Sequence, residues 1–158
     1  MSYFRQTANY QVSISESSVS AQHLTSGTTV DVTNSTINYV PHKDAKYVIY
    51  ESSVYVTKPS RYMNATFSLW HYTGGSWSEI SSDNRRHAAT GQWNDNLSDE
   101  YQLYFRLNLD PWQGERSIKM TVSNRSSQWR VSLHKTNRWE GTGTDKFIMP
   151  QFMMYSVL

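Results

Sequence analysis

Cysteine is absent from all 158 residues, which removes a disulfide framework, a thiolate metal site and a cysteine nucleophile together. Charge is scarce too. Only 18% of residues are Asp, Glu, Lys or Arg, and the formal net charge is +2, too small an imbalance to steer a polyanion by itself. No nucleic-acid partner is expected, and the one basic cluster, Arg85-Arg86-His87, reads as a solvated loop. No apolar run approaches the roughly 18 residues of a membrane span, and Met1 to Gln6 lacks the apolar stretch of a signal peptide. A soluble protein made in a cytoplasm, with no membrane partner, is the expectation.

Aliphatic residues are also few. Leu, Ile, Val and Phe number 30 of 158, or 19%, whereas Ser and Thr number 37, or 23%. With high net charge that balance would mean disorder. Here the charge is low and aromatics reach 14%, so Tyr and Trp supply the burial that aliphatics do not. The length suits one domain with one core. That core is thin, which makes burial of aromatic surface between copies an expected source of stability.

Period-two alternation runs along the whole chain, and no stretch holds helical spacing over three turns. In Leu103 to Leu109 the leucines and Phe105 point one way while Tyr104, Arg106 and Asn108 point the other. Similar alternation marks Val12/Ile14, Val30/Val32, Ile37/Tyr39, Phe67/Leu69, Ile118/Met120/Val122 and Trp129/Val131/Leu133. The denser runs Tyr47 to Tyr50 and Val54 to Val56 predict strands covered on both faces. Turn-forming clusters between these runs suit eight to ten strands. The expected fold is an all-β antiparallel jelly roll or β-sandwich. Ile80 to Ser98 lacks periodicity and reads as a long excursion, and Pro150 marks an edge or a bulge because it cannot donate to a ladder.

Catalytic patterns are missing: there is no nucleophile elbow, phosphate-cradling glycine loop or zincin motif. His23, His42, His71, His87 and His134 show no ligand spacing. Asp99 and Glu100 point apart if extended, and Asp110 with Glu115 brackets a turn. No enzyme activity, cofactor or metal is expected. Asn94 to Glu100 is oxygen-rich yet lacks the glycine and spacing of a calcium loop, and reads as solvated. Tryptophan placement is more distinctive, since Trp77, Trp93, Trp112 and Trp139 each lie two residues from a glycine at a turn. Such rings either fold back to seal the ends of a sandwich or stand out as contacts for a partner or glycan. Sealing is the expectation, with Trp77, Trp112 and Trp139 as the candidate contacts.

From Tyr47 to Leu158 the order of short segments resembles the jelly-roll virion proteins of tailed, especially marine, phages, which are similar in outline to tumour-necrosis-factor and C1q heads. The carrying segments are Tyr47 to Glu51, Phe67 to His71 leading into Gly74 to Glu79, Pro111 to Arg116, Leu133 to Thr136, Arg138 to Gly141 and Pro150 to Tyr155. The resemblance implies a homotrimer located on a virion, with 47–158 as the jelly-roll body; residues 1–46, which it does not cover, are polar, Ser/Thr-rich and only intermittently alternating and read as an N-terminal arm and first strands of one overall domain. It further implies contact with other virion proteins, such as the major capsid protein. A fibre needs a long shaft or adaptor, and about 46 residues leave little for one, so a capsid decoration is the expected role. The alternative is a receptor- or glycan-binding head of a tail fibre or spike that contacts a host surface glycan.

Overall fold

The computed structural model describes residues 10–13, 22–24, 28–58, 62–80, 86–91, 99–124, 131–136, 146–147 and 150–158. Among them there are strands and no helix: β1 (Tyr10–Ser13), β2 (Gln22–Leu24), β3 (Thr29–Asp31), β4 (Ile37–Tyr39), β5 (Tyr47–Lys58), β6 (Tyr62–Thr73) and β7 (Ser76–Glu79). They are followed by β8 (Arg86–Gly91), β9 (Asp99–Leu109), β10 (Arg116–Asn124), β11 (Val131–Leu133), β12 (Lys135–Thr136), β13 (Lys146–Phe147) and β14 (Gln151–Val157). Every pairing is antiparallel.

Two six-stranded sheets form a sandwich. In the first, β1 pairs with β14 and β14 with β5; β9 takes the other side of β5, and β11 and β2 continue the sheet past the end of β14. In the second, β10 lies between β6 on one side and β3 and β4 on the other, while β7 and β8 share the far side of β6. Chain order explains the pattern. The first strands pair with the last, β3 and β4 with β10, β5 with β9, and β6 with β7 and β8, as when one long hairpin is wrapped around a barrel axis. That is the jelly-roll topology.

Eight strand positions thus hold twelve segments, since four positions are broken in two, and β12 and β13 form a small separate hairpin. The breaks are informative. Leu133 faces Val56 and Gln151 faces Ser53, so three steps along β5 answer eighteen in the neighbouring chain, and that position in the sheet is broken between Leu133 and Gln151. His134 stands at the exit. Its N–H still reaches the Tyr55 carbonyl at 2.8 Å, but its φ of 66° turns the chain away. Pro150 stands at the return, one residue ahead of β14, where a missing N–H costs nothing.

A second break separates β3 from β4. Asn34 adopts a φ of 63°, which Asn tolerates better than most residues, and the bulge it creates is closed by a side chain. The Ser35 hydroxyl accepts the Met120 N–H and donates to the Met120 carbonyl, both at 3.0 Å, standing in for a ladder residue.

The core lies between the sheets and draws on both. Val48, Tyr50, Val54, Leu107, Phe152 and Met154 come from the first sheet, and Ile37, Phe67, Leu69, Ile118, Met120 and Val122 from the second. Phe67 and Phe105 meet across the gap with centroids 4.9 Å apart. Two expectations are corrected. Ile80 to Ser98 is not all excursion, because β8 pairs with β6 from Tyr62 to Phe67. The same pairing places Arg86 and His87 on a strand rather than in a loop.

Candidate functional site

The sandwich turns one face of each sheet outward, and alternation decides what each face carries. On β5 the inward residues are Val48, Tyr50, Val54 and Val56, so Tyr47, Ile49, Glu51, Ser53 and Tyr55 face out. The register brings Tyr104 and Gln151 beside Ser53, Arg106 and Met153 beside Glu51, and Asn108 and Tyr155 beside Ile49. The outcome is a tyrosine-rich surface. Tyr104 is 74% exposed and Tyr47 37%, whereas Ile49 is buried despite facing outward.

A polar network ties the middle of this face. Tyr155 donates to Glu51 Oε1 at 2.7 Å, and Arg106 Nε lies 3.4 Å from the same oxygen. Partial burial, with Glu51 beside it, pushes the Tyr155 hydroxyl up to about 12. Tyr55 donates to Glu100 Oε2 at 2.5 Å, and Gln102 Nε2 to Ser53 Oγ at 2.7 Å. These bonds hold the rings in fixed positions. Over Ser52 and Ser53, small residues between Tyr104 and Gln151, the surface dips into a hollow of about 500 Å³.

The tryptophans divide. Trp112, in the turn between β9 and β10, packs against the core and meets the edge of Tyr39 at 6.2 Å. The Arg116 guanidinium sits 5.5 Å from its ring centre, within the range of a cation–π contact. It closes one end of the sandwich, as its distance from Gly114 implies. Trp77 does not. It lies on the outer face of the second sheet, directly opposite Tyr72 and 5.4 Å from its ring, with the Lys119 ammonium 4.3 Å from its centre. The turn Gly74-Gly75, with φ of 62° and 88°, is the tight two-residue hairpin that glycine permits; it presents Trp77 to the cross-strand partner instead of the sandwich end. Trp93 and Trp139 lie outside the described residues, as do most of Asn94 to Glu100.

Beside Trp112 the loop 40–46 and the turn 110–115 enclose a cleft of about 520 Å³. Its first wall is fixed by Ser156, whose hydroxyl oxygen accepts the His42 N–H at 2.9 Å and meets Tyr39 Oη at 2.8 Å. Lys46 N–H reaches the Val157 carbonyl at 2.8 Å, and Ala45 N–H the His42 carbonyl at 3.0 Å. This cleft is preformed.

Two histidines are perturbed for reasons of place. His134, fully buried, has its imidazole pushed down to about 4 by burial. His71 is lowered by burial and then by the neighbouring Arg116 charge. No group of three or more metal-ligating side chains occurs among the described residues, and no helix there is long and apolar enough to cross a membrane.

The tyrosine face was missed in the sequence. Tyr47, Tyr104 and Tyr155 belong to three strands far apart in the chain, and Tyr104 reads as one polar position among others until β5 aligns them. The usable signal was tyrosine recurring on the non-core positions of those strands.

No family model matches the chain, and no curated protein matches it. Among solved structures, the tumour-necrosis-factor protein Eiger from S. frugiperda is similar, with 10% identity, a TM-score of 0.38, and coverage of 87% of this chain and 92% of that one.

Proposed function

We propose that this chain is a structural virion protein, a capsid decoration module that works as a homotrimer and contacts other virion proteins such as the major capsid protein. The observation that carries the assembly is the outer face of the first sheet. Tyr104 and Tyr47 there offer aromatic surface that a single copy leaves in water, and the half-buried Tyr155 and Met153 continue it. Tyrosine contributes large contact area with few rotatable bonds, so burying it between copies costs little side-chain entropy. The placement on a virion is supported by the order of sequence segments that resembles phage jelly-roll proteins.

Light scattering of the purified chain tests the assembly. The expected mass is about 55 kDa, three times the 18.4 kDa of one chain, and Tyr104→Glu is expected to reduce it to that of a monomer that keeps its β-sheet circular dichroism but melts lower, because the stabilisation from association is lost. A wild-type monomer at micromolar concentration would overturn the trimer. Immunogold electron microscopy of intact particles tests the location: label over the capsid supports a decoration protein, and label at a fibre tip supports the alternative receptor- or glycan-binding head. The preformed cleft beside Trp112 is what favours that alternative.

A further inference from the structure

β1 starts at the same end of the sandwich as the cleft between loop 40–46 and turn 110–115. Tyr10 faces Tyr155, and the next residue of β14, Ser156, holds the loop through the His42 N–H. One residue further, the Val157 carbonyl accepts the Lys46 N–H. The apolar lining of the cleft comes from Val40, Pro41 and Ala45 on the loop and from Pro111 and Trp112 on the turn. Val40 is 51% exposed, and apolar surface left in water is a cost that an occupant removes. The charges around the cleft favour a cation. Turn 110–115 carries Asp110 and Glu115 and no cation, and neither carboxylate has an ion pair among the described residues. On the loop, Asp44 lies 3.9 Å from the Lys43 ammonium, and Lys46 is the other cation. Three carboxylates thus stand against two ammonium groups, while Arg116, the next residue, is placed over the Trp112 ring.

We infer that Tyr3-Phe4-Arg5 of the same chain seats in this cleft, with the two aromatic rings between the apolar walls and Arg5 at the rim beside Asp110 and Glu115. Residues 1–9 lie outside the described residues, and their composition fits the cleft: two aromatics, one cation in Arg5, and no carboxylate. An aromatic side chain buries about 150–250 Å², and the cleft of about 520 Å³ offers apolar walls for it. The reach is sufficient. β14 alone separates β1 from β5, a span of about 10 Å, whereas the chain from Tyr10 back to Phe4 can extend to about 20 Å. The walls do not have to be ordered on binding, because Ser156 holds one and the Tyr39 and Arg116 contacts of Trp112 hold the other. A short tether gives the segment an effective concentration on the order of millimolar at its own cleft, which favours it over the same segment of a second copy at micromolar protein. The inference depends neither on the trimer nor on the place of the protein on a particle. A seated segment would close to a host glycan the cleft that favours the alternative reading.

The test uses the absence of cysteine: Ser2→Cys provides a single attachment point for a nitroxide and leaves the three seated residues unchanged. In two-dimensional NMR of the full chain, the label is expected to broaden the Val40, Ala45 and Gly114 amides and the Trp112 indole N–H. Adding Phe4→Ala, which leaves β1 intact, is expected to restore sharp signals at all four. Arg5→Glu is expected to lower the ratio of seated to free segment roughly fivefold, the size of an exposed ion pair. A mixture of isotope-enriched chain without the label and labelled chain without the enrichment is expected to show no broadening, because each segment stays with its own cleft. Sharp cleft signals in the first sample would overturn the inference. Broadening that survives Phe4→Ala would overturn it too, by showing that the segment passes near the cleft without seating there. Broadening in the mixture would assign the cleft to the segment of a neighbouring copy and overturn the occupant inferred here.

Discussion

The Tyr50 hydroxyl crosses the interior from the first sheet and donates to the Ser35 carbonyl in the second at 2.9 Å. Ser35 in turn closes the bulge opposite Met120, so one buried chain of hydrogen bonds joins β5, the β3–β4 bulge and β10. Burial raises the Tyr50 pKa well above that of a free phenol, keeping it a donor throughout the accessible pH range. The jelly roll therefore has a polar pin through its core, in addition to the buried Tyr39–Ser156 bond that also joins the sheets.

Removing that pin should cost more than one hydrogen bond. Tyr50→Phe keeps the ring and leaves the Ser35 carbonyl buried with no donor from across the sandwich, a loss of about 1–3 kcal/mol. For a domain of this length each kcal/mol shifts the melting temperature by roughly 2–4 °C, so calorimetry should record a fall of several degrees. Ser35→Ala should cost about as much, and the double variant less than the sum, because the two side chains belong to one network. An additive cycle would show that they act separately.

His134 should make stability depend on pH. Its folded pKa is about 4, while the unfolded ring titrates near 6.5, so between those values the unfolded chain binds more protons and stability falls as the pH falls. The loss begins near pH 6.5 and is complete near pH 4, amounting to about 3 kcal/mol. His134→Asn keeps a residue that tolerates the positive φ and lacks the titration. The difference in urea midpoint between wild type and variant, measured at pH 7.5 and pH 4.5, isolates this group from the carboxylates that titrate in the same range. A difference that does not change with pH would show that His134 is not buried as a neutral ring.

Trp112→Ala and Trp77→Ala should separate in denaturation curves. Trp112 packs against the core and the Tyr39 ring, and its loss should cost about 3 kcal/mol. Trp77 has one cross-strand ring and one ammonium as partners, worth together about 1 kcal/mol. Equal costs would mean that Trp77 is held by more than these two contacts.

The parts of the fold that could be read from the sequence were those where packing writes a pattern. Leu103 to Leu109 alternates because one face of β9 meets the core. β8, Arg86-His-Ala-Ala-Thr-Gly91, has no such alternation; as an edge strand it is placed by main-chain pairing to β6, which leaves little mark in residue choice. Two of the four broken positions, β3–β4 and β11–β14, were hidden for another reason. A serine hydroxyl replacing a ladder residue, or a histidine with positive φ turning the chain away from its strand, is a matter of backbone geometry that other residues could accept. Of the site, the Trp112 end-seal was legible from its spacing to Gly114. The same spacing misplaced Trp77, because a hairpin turn and a sandwich-end turn share glycine but not direction.

The N-terminal segment offers the last test. β1 covers β14 from Phe152 to Tyr155, and β14 carries Tyr155 and Met153 to the tyrosine face while Phe152 and Met154 enter the core. Deleting Met1 to Ala21 would remove β1 and leave those four residues of β14 with an unpaired edge. Lost ladder bonds are worth roughly 0.5–1.5 kcal/mol each, and an uncovered edge is a template for pairing with other chains. The deleted protein should melt several degrees lower and should aggregate in a concentration-dependent way that dynamic light scattering detects. Supplying the peptide Tyr10 to Ser20 in trans should reverse part of the aggregation by refilling the edge. If the truncated chain instead melts like the full one and stays dispersed, β1 contributes nothing to the sheet in solution, and its contacts with β14 have to be sought in the assembled state.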